Sequence, residues 1–189
     1  MDDSELMYRT AAGDQRAFRE LVERYQRPIY NFFFRSTASR EDAEDLTQKL
    51  FLNLYKSSGR YRKRSSFKTY IYKIASNLAI SFARKNKNRT VIPFDQEEES
   101  GNISEELPYG RDPVLDIQAS ELEGSLKAAL VKLPPDLSSA IDLRVRKGFA
   151  YREIAEIMGK SISAVESMIF RARKILLVEL KEVLDQRDS

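Results

Sequence analysis

The chain has 189 residues, 32% charged and 42% hydrophobic, and neither Cys nor His. That composition excludes disulfides, thiolate or imidazole metal sites and any nucleophilic scheme that needs a His base. The net charge of +3 hides a segregation. Residues 1–90 carry 19 basic and 10 acidic groups, residues 91–123 carry 1 and 10, and residues 124–189 carry 12 and 9. Two basic lobes flanking an acidic joint predict two small domains, 1–90 and 113–189, joined by a flexible acidic linker over 91–112, and the helical spacing described below makes the chain all-α. No apolar run reaches the roughly 20 residues of a membrane helix, and the polar start MDDSELMYRT is no secretory signal. No stable membrane insertion, and a reducing cytoplasmic setting, are expected.

Residues 4–35 read as two helices split at Gly13-Asp14, with Leu6, Met7, Ala17, Phe18, Leu21, Ile29, Phe32 and Phe33 at helical spacing. Pro28 is expected to kink or restart the second helix. Ser39 with Asp42 resembles a capping box. It opens a helix with Leu46, Leu50, Phe51 and Leu54 on one side and Asp45, Gln48, Lys49 and Leu52 on the other. Ser57-Ser58-Gly59 ends that helix, and the basic loop Arg60, Tyr61, Arg62, Lys63, Arg64 follows.

From residue 46 to residue 94 there is no Asp or Glu, while Lys and Arg alternate with Phe and Tyr. A positive field interleaved with rings suits a nucleic acid whose bases are open to stacking. Ser65 or Ser66 caps the next helix, about 67–84. Its predicted core stripe is Phe67, Tyr70, Ile71, Ile74, Ala75, Leu78 and Phe82. Its outer face holds Thr69, Lys73, Ser76, Asn77, Ile80 and Arg84. Short polar side chains such as Ser76 and Asn77 hydrogen-bond base edges. Tyr61 and Tyr72 are the rings best placed to stack.

Residues 91–112 combine acid, Pro, Gly and Ser without periodicity. About 25 such residues span on the order of 25–30 Å, enough for the lobes to sit apart on a long partner. The second lobe begins with the stripe Leu115, Leu122, Leu126, Ala129, Leu130, Leu133, and Pro134-Pro135 stops that helix. Residues 136–147 form another helix, with Leu137, Ala140, Ile141 and Leu143 inward and Gly148 as its C-terminal cap. A short helix over 151–158 packs through Ile154, Ala155 and Met158, and Gly159-Lys160-Ser161 makes a turn. Ser163 with Glu166 is read as the capping box of a helix with Val165, Ile169, Ala172 and Leu176 inward. Ser167, Phe170, Arg171 and Lys174 fall on its outer face. A helix–turn–helix with an Arg-bearing outer face has the form of a major-groove reader, and the Phe170 ring can meet a thymine methyl.

EDAEDLTQKLFLNLY…YRKRSSFKTYIYKIASNLAISFAR resembles region 2 of bacterial sigma factors of the extracytoplasmic-function (ECF) group. LPPDLSSAIDLRVRKGFAYREIAEIMGKSISAVESMIFRARKIL resembles their region 4. The resemblance implies a dissociable subunit of core RNA polymerase, without cofactor and not itself an enzyme, that recognises promoter DNA and assists its melting. It implies that Asp45, Gln48, Lys49, Phe51 and Leu52 dock on the polymerase clamp helices. Arg60, Tyr61, Arg62, Lys63, Arg64, Lys73, Ser76 and Asn77 then meet the −10 element. Arg144, Ser167, Phe170, Arg171 and Lys174 meet the −35 element beside the polymerase flap. An anti-sigma factor is a further implied partner.

Departures from the family pattern are also visible. Lys49 stands where an acid is usual, Lys63-Arg64 stand where Gly and then an acidic residue are usual, Ala150 replaces a polar cap, and Glu166 and Met168 replace basic phosphate contacts that Arg146 and Lys147 offset. The rival readings are a self-sufficient helix–turn–helix regulator, which normally binds palindromes as a dimer, and a nucleic-acid enzyme, for which no metal-binding residue set is evident.

Overall fold

The computed structural model describes residues 1–86, 129–130 and 132–185. The expected linker, and the stripe residues Leu115, Leu122 and Leu126, lie outside the described residues. The described residues are helical, without strands: α1 (Asp3–Ala11), α2 (Gln15–Thr37), α3 (Arg40–Lys56), a 3-10 turn (Ser58–Arg60), α4 (Phe67–Lys85), α5 (Pro135–Val145), α6 (Tyr151–Met158) and α7 (Ile162–Asp185).

The starts of these helices are set by local chemistry. Asp14 accepts from Arg16 N and Ala17 N, Ser39 from Asp42 N and Ser66 from Thr69 N, each satisfying orphan donors of a first turn. Pro28 sits inside α2, which neither restarts nor breaks there. The buried residues Ile29, Phe32 and Phe33 carry the helix beyond the missing N–H.

In the first lobe α1, α3 and α4 pack around α2. The core holds Leu6, Met7, Leu21, Phe33, Leu50, Leu54 and Ile71, all fully buried. In the second lobe α5 packs on α7, and α6 bridges α7 to α4.

The lobes are not held apart. α4 packs against both α5 and α6, and α2 also reaches α5. This contact changes the reading of α5. Besides the predicted Leu137, Ala140, Ile141 and Leu143, it buries Ser138, Ser139 and Asp142. A helix buried all round has a second packing partner, and that partner is the first lobe.

Candidate nucleic-acid interface

The basic loop is pinned to the N-terminus of the chain. Tyr61 is buried, with its ring centroid 5.4 Å from Tyr8 and 5.1 Å from Tyr70 and its hydroxyl donating to Ser4 Oγ at 3.1 Å. It anchors the loop and has no face open for stacking. Burial pushes its phenol pKa upward. Lys63 N–H donates to the Tyr8 hydroxyl at 3.2 Å, and Lys63 Nζ pairs with Asp2 Oδ2 at 3.0 Å. That hydrogen bond holds the Asp2 carboxyl below its ordinary range and the Lys63 ammonium above its own. Arg62 Nη1 donates to its neighbour's carbonyl, Tyr61 O, at 2.9 Å. The side chains of Arg60, Arg62, Lys63 and Arg64 stay exposed.

The outer face of α4 is divided. Lys73 and Asn77 are exposed, whereas Thr69 and Tyr72 are buried and Ser76 is fully buried. The Ser76 hydroxyl has no hydrogen-bond partner among the described residues. Tyr72, expected to offer its ring, lies edge-on to Phe32 at 5.7 Å and to Phe149 of the second lobe at 5.3 Å.

The second lobe covers this face through a polar and aromatic seam. Arg35 Nε and Nη2 donate to Asp142 Oδ1 and Oδ2 at 2.5 and 3.0 Å, a two-pronged pair that is nearly buried. A cavity of about 10 Å³ lined by Phe32, Arg35, Ser36, Ser138, Ser139 and Asp142 lies beside it, room for about one water. Lys68 Nζ donates to Lys147 O at 3.1 Å and sits 4.8 Å above the Phe149 ring. Lys147 Nζ donates to Pro28 O at 3.3 Å and lies 5.6 Å from the Tyr72 ring centroid. Burial, with Arg35 close by, pushes the Lys147 pKa down to about 8. Lys147, expected on promoter phosphate, is here turned into the first lobe. Arg84 and Asp136 close the far end at 3.6 Å.

The helix–turn–helix follows its sequence pattern with two corrections, the start of the last helix and the place of Met168. Gly159 adopts φ 63°, which lets Lys160 N–H reach Ala155 O at 3.0 Å. The last helix starts earlier than the Ser163–Glu166 reading, because Ser161 Oγ accepts Ala164 N–H at 3.2 Å. Ala150 has no acceptor of its own, so only the reciprocal half of a capping box forms, Ala150 N–H donating to Glu153 Oε2 at 2.8 Å. Met168 is buried in the core with Val165, Ile169 and Ala172. It is therefore a packing residue and not a vacated phosphate position.

Ser167, Phe170, Arg171 and Lys174 are all exposed on one side of α7, with Phe170 70% exposed. Arg144 stands apart from them. It is half-buried, donates Nη1 to Phe149 O at 3.1 Å and lies 5.0 Å from the Tyr151 ring centroid, bracing the entry to α6.

On α3, Asp45, Gln48, Lys49 and Leu52 are exposed. Phe51 is buried, edge-on to Phe18 at 6.5 Å, so it supports this face from beneath. Gln48 also lines a polar cleft of about 470 Å³ with Glu23, Gln26, Arg27, Tyr30, Glu44 and Thr47. Among the described residues no group of three or more acidic side chains is gathered to hold a metal. No described helix is long and apolar enough to cross a membrane. The residues that sequence reasoning missed are Arg35, Lys68, Asp142 and Phe149. The one signal for them was the polar run Ser138, Ser139, Asp142 on a helix whose other side already had a core stripe.

Comparisons with known proteins show what the chain is similar to. The model of Sigma-70 region 2 matches residues 21–89, and that of Sigma-70, region 4 matches residues 123–176. The chain is 34% identical over 180 residues to the ECF RNA polymerase sigma-E factor of Haemophilus influenzae, covering 93% of this chain and 94% of that one. It is 32% identical over 186 residues to the RNA polymerase sigma-H factor of Pseudomonas aeruginosa, covering 96% and 95%. Two solved structures share the fold at 23% identity. One is CnrH in complex with the cytosolic domain of CnrY, with TM-score 0.66 over 97% of both chains. The other is the sigma factor RpoE with the anti-sigma factor NepR from Bartonella quintana, with TM-score 0.61 over 87% of this chain and 96% of that one.

Proposed function

Because this chain belongs to the ECF group of RNA polymerase sigma factors and directs promoter-specific transcription initiation, we propose how its parts divide that work. Residues 1–90 dock on core polymerase and engage the −10 element, residues 91–112 link, and residues 113–189 read the −35 element. The exposed face of α3, with Asp45, Gln48, Lys49 and Leu52 above Phe51, meets the clamp helices. Arg60, Arg62, Lys63 and Arg64 draw in the phosphate backbone, while Lys73, Ser76 and Asn77 on α4 hold unpaired −10 bases. Tyr61 keeps the loop in shape.

On α7 the outer face enters the major groove, where Arg171 suits a guanine edge and Phe170 a thymine methyl. Ser167 and Lys174 flank them, and Arg144 positions the turn. The observation that carries this division is the coexistence of two basic surfaces of different design. One is an acid-free helix with a hydroxyl and an amide. The other is a helix–turn–helix whose exposed face presents Arg171 and Phe170.

The chain acts in the cytoplasm as a DNA-binding regulator and not as an enzyme. An anti-sigma partner is part of the proposal, since the two fold relatives are each bound to a regulatory partner of that kind or to a cytosolic domain. The division is tested by gel filtration and promoter binding with and without core polymerase. Sequence-specific binding only in the presence of polymerase is expected. A dimer that binds a palindrome unaided would overturn it.

A further inference from the structure

The loop after the 3-10 turn has little structure of its own. Within residues 61–66 the backbone bonds to itself once among the described residues, Arg64 N–H donating to Arg62 O at 2.8 Å. Arg60, Arg62, Lys63 and Arg64 are all exposed, and like charges so close in sequence repel. Such a stretch keeps one shape only when groups outside it take up its polar atoms.

α1 supplies those groups. Buried Ser4 accepts the Tyr61 hydroxyl at 3.1 Å, and the Tyr8 ring lies 5.4 Å from the Tyr61 ring. Ser4 and Tyr8 are one helical turn apart, so they share the face of α1 that meets the loop. The Tyr8 hydroxyl accepts Lys63 N–H at 3.2 Å, and Asp2, at the start of α1, takes Lys63 Nζ at 3.0 Å. α1 is itself braced on α2. Asp3 Oδ2 accepts the Tyr25 hydroxyl and Asp3 Oδ1 accepts Arg24 Nη1, both at 2.6 Å, while Arg9 Nε donates to Asp14 Oδ2 at 2.9 Å. Phe67 and Tyr70 of α4 also meet the Tyr61 ring, at 6.1 and 5.1 Å. The loop is thereby held in register with α1 and α4 together.

We propose that α1 is the template of the basic loop, with Ser4 and Tyr8 as positioning residues that sharpen the choice of base at the −10 element. They act through Tyr61 and the Lys63 backbone and not by touching DNA. This rests on the proposed engagement of the loop and α4 with that element. A recognition site discriminates only while its parts are held to about 0.5 Å. Losing one hydrogen bond to the loop relaxes the held shape about two- to tenfold.

The test uses the full-length chain with core polymerase and a promoter that wild type selects from a random library. Run-off transcription is measured on single-base changes in the −10 element and, separately, in the −35 element. The α1 variants are Tyr8→Phe, which removes the hydroxyl and keeps the ring, and Ser4→Ala. A loop variant, Lys63→Ala with Arg64→Ala, is run beside them. The α1 variants are expected to lower the ratio of best to mismatched −10 templates about two- to tenfold, with −35 preference unchanged. The loop variant is expected to alter −10 preference as well.

Tyr8 is 41% exposed, so Tyr8→Phe leaves the core in place and carries the test should Ser4→Ala fail to fold by circular dichroism. Unchanged −10 preference in folded α1 variants, beside a loop variant that alters it, would overturn the positioning role alone. An equal loss of preference at both elements would also overturn it, as a merely structural effect. Unchanged −10 preference in the loop variant too would overturn the loop's part in the proposed function, and the template with it.

Discussion

Replacing Ser76 by Ala gives an unusual combination of effects. A helical serine commonly returns its hydroxyl to the carbonyl four residues back, but Ser76 makes no such bond and is shut away from water. Leaving a buried hydroxyl unpaired costs about 1–3 kcal/mol, and its removal recovers that cost. Alanine adds up to about 0.7 kcal/mol of helix propensity. The expected outcome is a chain more stable by about 1–3 kcal/mol, read as a rise of about 2–4 °C in Tm per kcal/mol and a higher urea midpoint. With core polymerase the same variant should open promoters less well, because the hydroxyl is then needed at the unpaired −10 strand. A Ser76→Ala chain less stable than wild type would show that the hydroxyl has a partner in the free chain and would refute the reasoning.

Other outcomes are expected from the same geometry. Asn77→Ala, on an exposed position of α4, should impair open-complex formation while binding to core polymerase persists; unchanged transcript yield would remove Asn77 from the site. Arg171→Ala should weaken promoters that depend on the −35 element by about 1–3 kcal/mol, and an equal loss on a scrambled element would mean that Arg171 meets only phosphate. Ala150→Ser should restore the missing half of the α6 cap and add about 1 kcal/mol to stability, measured by urea denaturation.

Lys147 gives a pH dependence. Burial lowers its pKa to about 8 from the ordinary 10.5, with Arg35, Asp142, Lys68 and Arg146 as the charges around it. The folded chain therefore binds fewer protons at this site than the unfolded chain. Its stability should rise as pH increases from about 8 toward the ordinary lysine range, with no change below that window. Urea denaturation between about pH 7 and about pH 9.5 checks the sign, and the lost attraction between the charged ammonium and the Tyr72 ring opposes the gain.

Much of this was legible because local patterns dominate small helical lobes. The stripe Val165, Ile169, Ala172, Leu176 and the exposed set Ser167, Phe170, Arg171, Lys174 followed from a 3.6-residue period alone. Ser66 was one of two readable caps. What escaped was every feature decided between the lobes. Tyr72, Ser76 and Lys147 have patterns that suit an outer face, yet Tyr72 meets Phe149, Lys147 reaches Pro28 O, and Ser76 is fully buried. Tyr61 escaped for a similar reason, since Ser4 and Tyr8 complete its pocket from the other end of the domain. Met168 shows the limit of substitution logic: a position read as a lost phosphate contact is a core position.

Run-off transcription with core polymerase on a random promoter library reads both promoter elements at once. Transcripts are expected only when chain and polymerase are both present, from templates enriched in two separated elements, with Arg171→Ala relaxing the upstream one and Asn77→Ala depleting open complexes at the downstream one. No initiation, or enrichment of a single palindrome independent of polymerase, would contradict it.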